Sequence, residues 1–238
     1  MRTEMNKRKM LMQLPIFEGL SPETIEKLMM SGNISEVQKG TMLIRAREPL
    51  SSVFIQLSGK SVIYNLTHSG KRKILFIFGC GELLNENVFN SQTSSVYCET
   101  FEKSKVFEIP AAELTRLMAS DFILAKNILS AQEKKIWRLS HQLKNSMSSI
   151  YLEKKLAAKL WKLSRDFGIW KEDGLEIDMN LTITFLADML GAPRETTSRT
   201  CTALMERGLI KIYKKRITLP NPDVMAKFFR HGKENERG

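Results

Sequence analysis

The rhythm of hydrophobic and polar positions changes twice along this 238-residue chain. In the first part, short runs rich in β-branched and aromatic residues recur: VFIQL from Val53, SVIYNLT from Ser61, KRKILFIF from Lys71 and SKVFEI from Ser104. Gly40, Gly59, Gly70, Gly79 and Gly81 punctuate them at intervals near ten residues. Short strands broken this way predict an antiparallel barrel or sandwich. The step THSG, Thr67 to Gly70, predicts a hairpin turn. Ahead of the strands, Ser21 in the N-cap position followed by Pro22 predicts a short helix.

From Ala111 the period becomes helical, and neither Pro nor Gly interrupts the chain before Leu163. Phe122, Leu129, Ile136, Leu143 and Ile150 fall seven apart, and Ala125, Gln132, Leu139 and Ser146 follow three behind the first four. This is an a/d heptad seam. It predicts one helix over Glu113 to Met147, roughly 50 Å long at ~1.5 Å per residue, paired in parallel with a second copy. The alternative is a long amphipathic helix lying on the chain's own β-domain. Asn145 to Ser149 (NSMSS) holds residues that compete with helical hydrogen bonds and predicts a hinge and domain boundary. A further amphipathic helix ends near Gly168, and LEIDMN predicts a short strand.

The last segment carries the chemistry. Thr182 is placed to cap a helix, ITFLADML. Gly191-Ala192-Pro193 breaks it, and a second helix, RETTSRTCTALMERG, follows. Leu186, Ala187, Leu190 and Gly191 stand where a helix-turn-helix needs them: Ala187 small for the crossing helix, Gly191 for a left-handed turn. Leu186, Leu190, Leu204 and Met205 are expected to fill the space between the helices. IKIY and RITL predict a basic hairpin, or wing, through Lys214, Lys215 and Arg216. A plain helix pair is the alternative. Against it, Arg194 sits at a helix N-terminus, where an acid is preferred unless an anion is met. Arg194, Glu195, Ser198 and Arg199 share one face and offer donors for guanine and an acceptor for cytosine.

Charge sharpens this picture. There are 37 basic and 26 acidic residues, a net +11, spread almost evenly over residues 1–150 and 151–238. The local change is abrupt. Glu172, Asp173, Glu176, Asp178 and Asp188 crowd a stretch without a basic residue, and Arg194, Arg199, Arg207, Lys211, Lys214, Lys215 and Arg216 dominate the next. That block predicts a nucleic-acid surface. The acidic run reads as a solvated loop and strand edge, since no nucleophile, base or metal ligand accompanies it. No apolar stretch reaches membrane-spanning length, and the N-terminus does not read as a secretory signal. Cys80, Cys98 and Cys201 are too dispersed for a metal cluster and suit a reduced, cytoplasmic setting. A Cys80–Cys98 redox pair is the alternative to lone thiols. His68 and His141 read as solvent-facing, not as haem ligands.

With RETTSR, Arg194 to Arg199, as its most specific motif, the chain resembles the cAMP receptor protein/FNR (Crp/Fnr) family of bacterial transcription regulators over nearly its whole length. The resemblance implies an α+β fold: an N-terminal β-roll (jelly-roll-like, of the cyclic-nucleotide-binding type) over 1–112, a dimerisation helix over 113–147, and a winged helix-turn-helix over 148–238. It implies no enzymatic activity and no cofactor or metal. The partners implied are double-stranded DNA, a second copy of the chain and RNA polymerase. Arg194, Glu195, Ser198 and Arg199 would read an inverted repeat with TGA-containing half-sites. Thr182, Lys214, Lys215 and Arg216 would meet phosphates, and Phe122, Leu129, Ile136, Leu139 and Leu143 would line the dimer helix. Ser198 matches the FNR-like branch and Arg194 the cAMP-receptor branch, while Thr197 replaces the usual Val or Ile beneath the helix.

GELLNENVFNSQTSSVYCETFEKSKVFEI from Gly81 resembles the family's phosphate-binding cassette. Glu82, Leu83, Leu84, Ser94 and Ser95 are its candidate effector residues. Ser94 and Ser95 stand where a cyclic-nucleotide binder has an Arg-Ser or Arg-Thr pair, and Leu84 where a small residue admits the phosphate. The planar fork of arginine is not replaced by a hydroxyl, so the effector is expected to be something other than cAMP. An iron–sulfur cluster of the FNR type needs four cysteines with a close N-terminal group, and residues 1–79 contain none. A sensor module acting through protein contacts rather than DNA is the alternative function.

Overall fold

The computed structural model describes residues 2–89, 93–147 and 151–230. The chain divides into two compact units, residues 1–69 with 74–144, and residues 145–238 with 70–73. Ser148 and Ser149 of the expected hinge, Ile150 of the heptad and 90–92 of the cassette lie outside the described residues.

The first unit opens with α1 (Arg2–Met12), a 3-10 turn (Pro15–Phe17) and α2 (Pro22–Ser31). Ser21 caps α2 as expected: its side chain accepts from Thr24 N at 3.1 Å, with Pro22 in the first turn. Seven strands follow: β1 (Asn33–Val37), β2 (Met42–Ile44), β3 (Ser52–Ser58), β4 (Ser61–Leu66), β5 (Arg72–Phe78), β6 (Tyr97–Thr100) and β7 (Ser104–Pro110). They form two sheets, ordered β1-β7-β3 and β2-β6-β4-β5. In the first, Phe107 lies between Ile34 and Ile55, and its fully buried ring meets Phe17 edge-on at 5.8 Å. Val53, Ile55, Phe107 and Ile109 build one apolar cluster with Leu28, Leu114, Leu124 and Ile128. Ile44, Ile63, Phe78, Leu84, Val96 and Cys98 build a second. The tight β3–β4 link depends on Gly59, whose φ is +75° and whose absent Cβ would lie 2.7 Å from the Lys103 carbonyl.

The single helix predicted over Glu113 to Met147 is two: α3 (Ala111–Ser120) and α4 (Phe122–Met147). Asp121 breaks it, with extended backbone at φ −132° and ψ 102°. Its Oδ1 accepts from Ile123 N (3.0 Å) and Leu124 N (3.3 Å), and its Oδ2 accepts from Thr24 Oγ1 at 2.6 Å. Capping bonds restart the helix. At 26 residues, α4 is about 39 Å long at ~1.5 Å per residue.

One face of this helix packs on the chain's own β-roll, and several of the predicted seam residues remain exposed. Leu124, Ile128 and Lys135 are buried against the β-roll, with Ala125 partly buried beside them. Phe122 (79% exposed), Leu129, Ile136 (63%), Leu139 and Leu143 (63%) are exposed, and Leu129, Ile136 and Leu139 also border a cavity beside the second sheet. Ala125 and Gln132, expected in the seam, turn to the chain's own β-roll: Gln132 Nε2 donates to the carbonyls of Asn85 (3.4 Å) and Glu86 (3.1 Å). Heptad spacing locates a stripe, but a helix with a second buried face draws some of its members inward.

The second unit comprises α5 (Leu152–Phe167), β8 (Gly168–Lys171), β9 (Gly174–Ile177), α6 (Ile183–Leu190), α7 (Arg194–Glu206), β10 (Lys211–Tyr213), β11 (Arg216–Leu219) and α8 (Pro222–Arg230). Its antiparallel sheet runs β10-β11-β9-β8. The predicted LEIDMN strand is β9, which pairs with β8 and β11. Leu156, Leu160, Leu186, Leu204, Ile217 and Met225 are all fully buried here. Met205, expected between the helices, is 39% exposed; the apolar face of α7 runs instead through Thr197, Cys201 and Leu204. Among the described residues, no helix is long and apolar enough to cross a membrane.

Candidate nucleic-acid interface and cassette

The interface begins with the geometry of one turn. Thr182 Oγ1 accepts from Phe185 N at 3.1 Å and starts α6. Gly191 ends it in the left-handed conformation, φ 67° and ψ 38°, donating to Ala187 O at 2.8 Å. Ala187 is buried, as the crossing of α6 and α7 requires. Pro193 then precedes Arg194, the first residue of α7. Thr197 is fully buried, and its Oγ1 donates to Pro193 O at 3.0 Å, so a hydroxyl is accommodated beneath this helix.

Arg194, Glu195, Ser198 and Arg199 all lie exposed on the first turns of α7. Among the described residues, none of Arg194, Glu195 and Arg199 forms an ion pair. Two guanidiniums therefore stand on the N-terminal half of a helix whose dipole is positive there, without an internal anion to offset them. The face presents bidentate donors and one acceptor to whatever approaches.

The wing is a two-residue turn in which Lys214 (φ 44°) and Lys215 (φ 70°) both adopt left-handed backbone. Tyr213 pairs with Arg216 across it, and the Lys215 carbonyl accepts from Leu181 N at 2.7 Å, anchoring the wing beside the start of α6. Lys214 and Lys215 are exposed. Arg216, grouped with them from sequence, is instead half-buried, and its Nη1 donates to Asp178 Oδ1 at 2.7 Å. It braces the base of the wing against the end of β9.

In the cassette the candidate residues separate. Glu82 Oε1 accepts from Arg138 Nη2 of α4 at 3.1 Å. Leu83 is fully buried in the first apolar cluster and Leu84 in the second. Ser94 is buried, donating to Val96 O at 2.9 Å. Ser95 is exposed, and both its N–H and its Oγ donate to the carboxylate of Glu86. Ser94 Oγ also lies 3.2 Å from Glu86 Oε1. The two serines that stand in place of an Arg-Ser or Arg-Thr pair thus hold an internal anion. A carboxylate, Glu86, therefore lies against these two serines.

Sequence reasoning missed both Glu86 and Lys135. A cavity of about 420 Å³ opens between the second sheet and α4, lined by Ile63, Leu75, Phe76, Leu84, Ser95 and Lys135 among others. Lys135 Nζ donates to the Asn85 carbonyl and lies 5.4 Å from the Phe78 ring centroid. Burial lowers its pKa to about 8, with Glu82, Cys98 and Glu86 opposing the shift and Arg138 adding to it. All three cysteines are free thiols. Burial pushes Cys98 up to about 12 and Cys201 to about 11, away from the reactive thiolate. Cys80 is exposed, with its Sγ donating to Leu57 O. His68 is exposed, as is His141, whose Nδ1 is 3.0 Å from Trp137 O.

Comparison with known proteins agrees with this architecture. The family model for the Crp-like helix-turn-helix domain matches residues 154–228, and that for the cyclic nucleotide-binding domain matches 34–121. A probable transcriptional regulator, flp, of Lacticaseibacillus casei is 27% identical over 216 residues, covering 90% of this chain and 95% of its own. The fumarate and nitrate reduction regulatory protein of Escherichia coli K12 is 26% identical, covering 82% and 78%. FixK2 of Bradyrhizobium japonicum shares the fold at a TM-score of 0.74 and 15% identity, over 84% of this chain and 98% of its own. The chain thus carries a cyclic nucleotide-binding domain followed by a Crp-like helix-turn-helix domain, the arrangement of the Crp/Fnr transcription regulators it resembles.

Proposed function

We propose that the chain acts as a homodimer that binds an inverted repeat with TGA-containing half-sites and is gated by an effector other than cAMP. The observation that carries this reading is the N-terminal face of α7, where Arg194 and Arg199 stand exposed without an internal anion. Such a pair suits guanine O6 and N7, Glu195 suits cytosine N4, and Ser198 suits either. Lys214, Lys215 and the Thr182 hydroxyl meet phosphates, which fix register without reading sequence. The open stripe of Phe122, Leu129, Ile136, Leu139 and Leu143 on α4 joins the two copies. A two-fold through it sets two recognition helices into successive major grooves roughly 34 Å apart.

Gating follows from differential affinity: an effector shifts the dimer between arrangements only by as much as it prefers one of them. The cassette supports a ligand other than cyclic nucleotide, because Glu86 fills the anion cradle of Ser94 and Ser95. In the cytoplasm the bound dimer would present itself to RNA polymerase. Selection of bound sequences from a random DNA pool tests the reading. An enriched inverted repeat supports it, and a pool without consensus overturns it.

A further inference from the structure

The cavity beneath α4 has an uneven chemistry. Its wall is apolar, formed by Ile63, Leu75, Phe76, Leu84 and Val96, and a volume of about 420 Å³ lies within the usual range of small-molecule sites. One charged group on it is buried, and that group is a cation. Lys135 is only 7% exposed. Its nearest partners are neutral, the Asn85 carbonyl and the face of Phe78. Among the described residues, no carboxylate pairs with it.

The other charges around the cavity are committed. Glu82 holds Arg138 from α4. Glu86 is held by the N–H and hydroxyl of Ser95 and by Ser94. Among the described residues around the cavity, Lys135 alone keeps a buried ammonium without an ion pair, Glu82 and Glu86 acting on it only from longer range. A buried charge is expensive unless it is paired, and an ionisable group kept at that expense in a concave pocket marks a functional position.

We propose that this cavity binds a small apolar monocarboxylate, its hydrocarbon body against the second sheet and its carboxylate on Lys135. The inference rests on the gated-regulator reading for its consequence but not for the binding itself. A dianionic phosphate ester is disfavoured by the missing arginine and by Glu86, which also borders the cavity; a monocarboxylate brings a single charge, and the Glu86 carboxylate it would approach is already held by Ser94 and Ser95. A neutral isostere fills the same apolar space and leaves the ammonium unpaired. Because Lys135 belongs to α4, the helix that carries the open apolar stripe, a ligand held there bears directly on the placement of that helix against the β-roll.

The test is calorimetric titration of the full-length protein at pH 7 with octanoate, 3-phenylpropanoate, their primary amides and cAMP. At least one acid should bind at micromolar concentration, tenfold or more tighter than its amide and tighter than cAMP. Lys135→Met should erase the preference for acid over amide while leaving amide binding within a few-fold. Equal binding of acid and amide by the wild type, binding of none of them, tightest binding of cAMP, or an acid preference that survives in Lys135→Met would each overturn the proposal. The acid-to-amide comparison needs no variant to fold. DNA affinity measured with and without the bound acid separates the two levels: an acid that binds and leaves DNA affinity unchanged sinks the gating and spares the site.

Discussion

Replacing Lys135 with Met removes a buried ammonium and keeps a stem of similar length. An ordinary lysine value of 10.5 falls to about 8 here, chiefly through burial. At about 1.4 kcal/mol per tenfold, keeping the charge in the fold costs roughly 3 kcal/mol at pH 7. The substitution also takes a donor from the Asn85 carbonyl, a loss of about 1 kcal/mol, although Gln132 still reaches that oxygen at 3.4 Å. The net expectation is a variant more stable than wild type by about 2 kcal/mol at pH 7. The sign follows from linkage. Between about pH 8 and 10.5 the unfolded chain holds the proton more tightly than the folded one, so wild-type stability rises with pH across that window. By pH 10 the charge costs less than about 1 kcal/mol, and the advantage of Met should vanish or reverse. Urea titrations followed by circular dichroism at pH 7 and pH 10 measure both gaps. A variant less stable at pH 7, or a gap equal at the two pH values, would refute the view of Lys135 as an uncompensated buried charge.

Four other outcomes are expected. Arg199→Ala should lose about 1–3 kcal/mol of DNA affinity, confined to one base position of each half-site, in competition assays against single-base operator variants. Lys214→Ala should weaken all sequences alike and lower the slope of log affinity against log salt by about one, and a sequence-selective loss would contradict its assignment. Ile136→Lys should leave the fold of the protomer intact by circular dichroism, since the side chain is 63% exposed, yet convert the dimer to monomer in sedimentation and remove the concentration dependence of the melting temperature. Asp121→Ala should destabilise the β-roll unit by about 1–2 kcal/mol through the lost cap. Bonds from Thr24, Leu124 and Ile123 hold the Asp121 carboxyl below its ordinary value of 3.8. Its contribution is therefore present above about pH 4 and lost as pH falls further, and an acid titration should show the gap between variant and wild type closing there.

What the sequence disclosed and what it withheld divide along physical lines. Ser21, Thr182 and Gly191 were legible because caps and left-handed turns are local demands that few residue types meet. The wing was legible from two apolar runs flanking Lys214 and Lys215, and the exposed polar face of α7 from the spacing of RETTSR. Asp121 was not, since a polar residue within a helical run looks the same whether it points to solvent or caps a new helix. Its partner Thr24 lies 97 residues away. Ala125 and Gln132 kept heptad spacing yet turned inward, because period alone does not say which of two packing partners a face will meet. Lys135 and Glu86 carry no signal of their own in the sequence. Their roles arise only when α4 is laid against the cassette, a tertiary event without a local signature. Arg216 joined the basic block in sequence, but strand pairing set it beside Asp178.

The most direct test is fluorescence anisotropy on three DNA duplexes of equal length: the inverted repeat with two TGA half-sites, the same duplex with one half-site scrambled, and a fully scrambled control. The expected result is tightest binding to the repeat, a loss of at least tenfold with one half-site, and a steep salt dependence on all three. Equal affinity for the repeat and the scrambled duplex, in the apo protein and in protein saturated with a carboxylate ligand, would contradict a sequence-reading dimer.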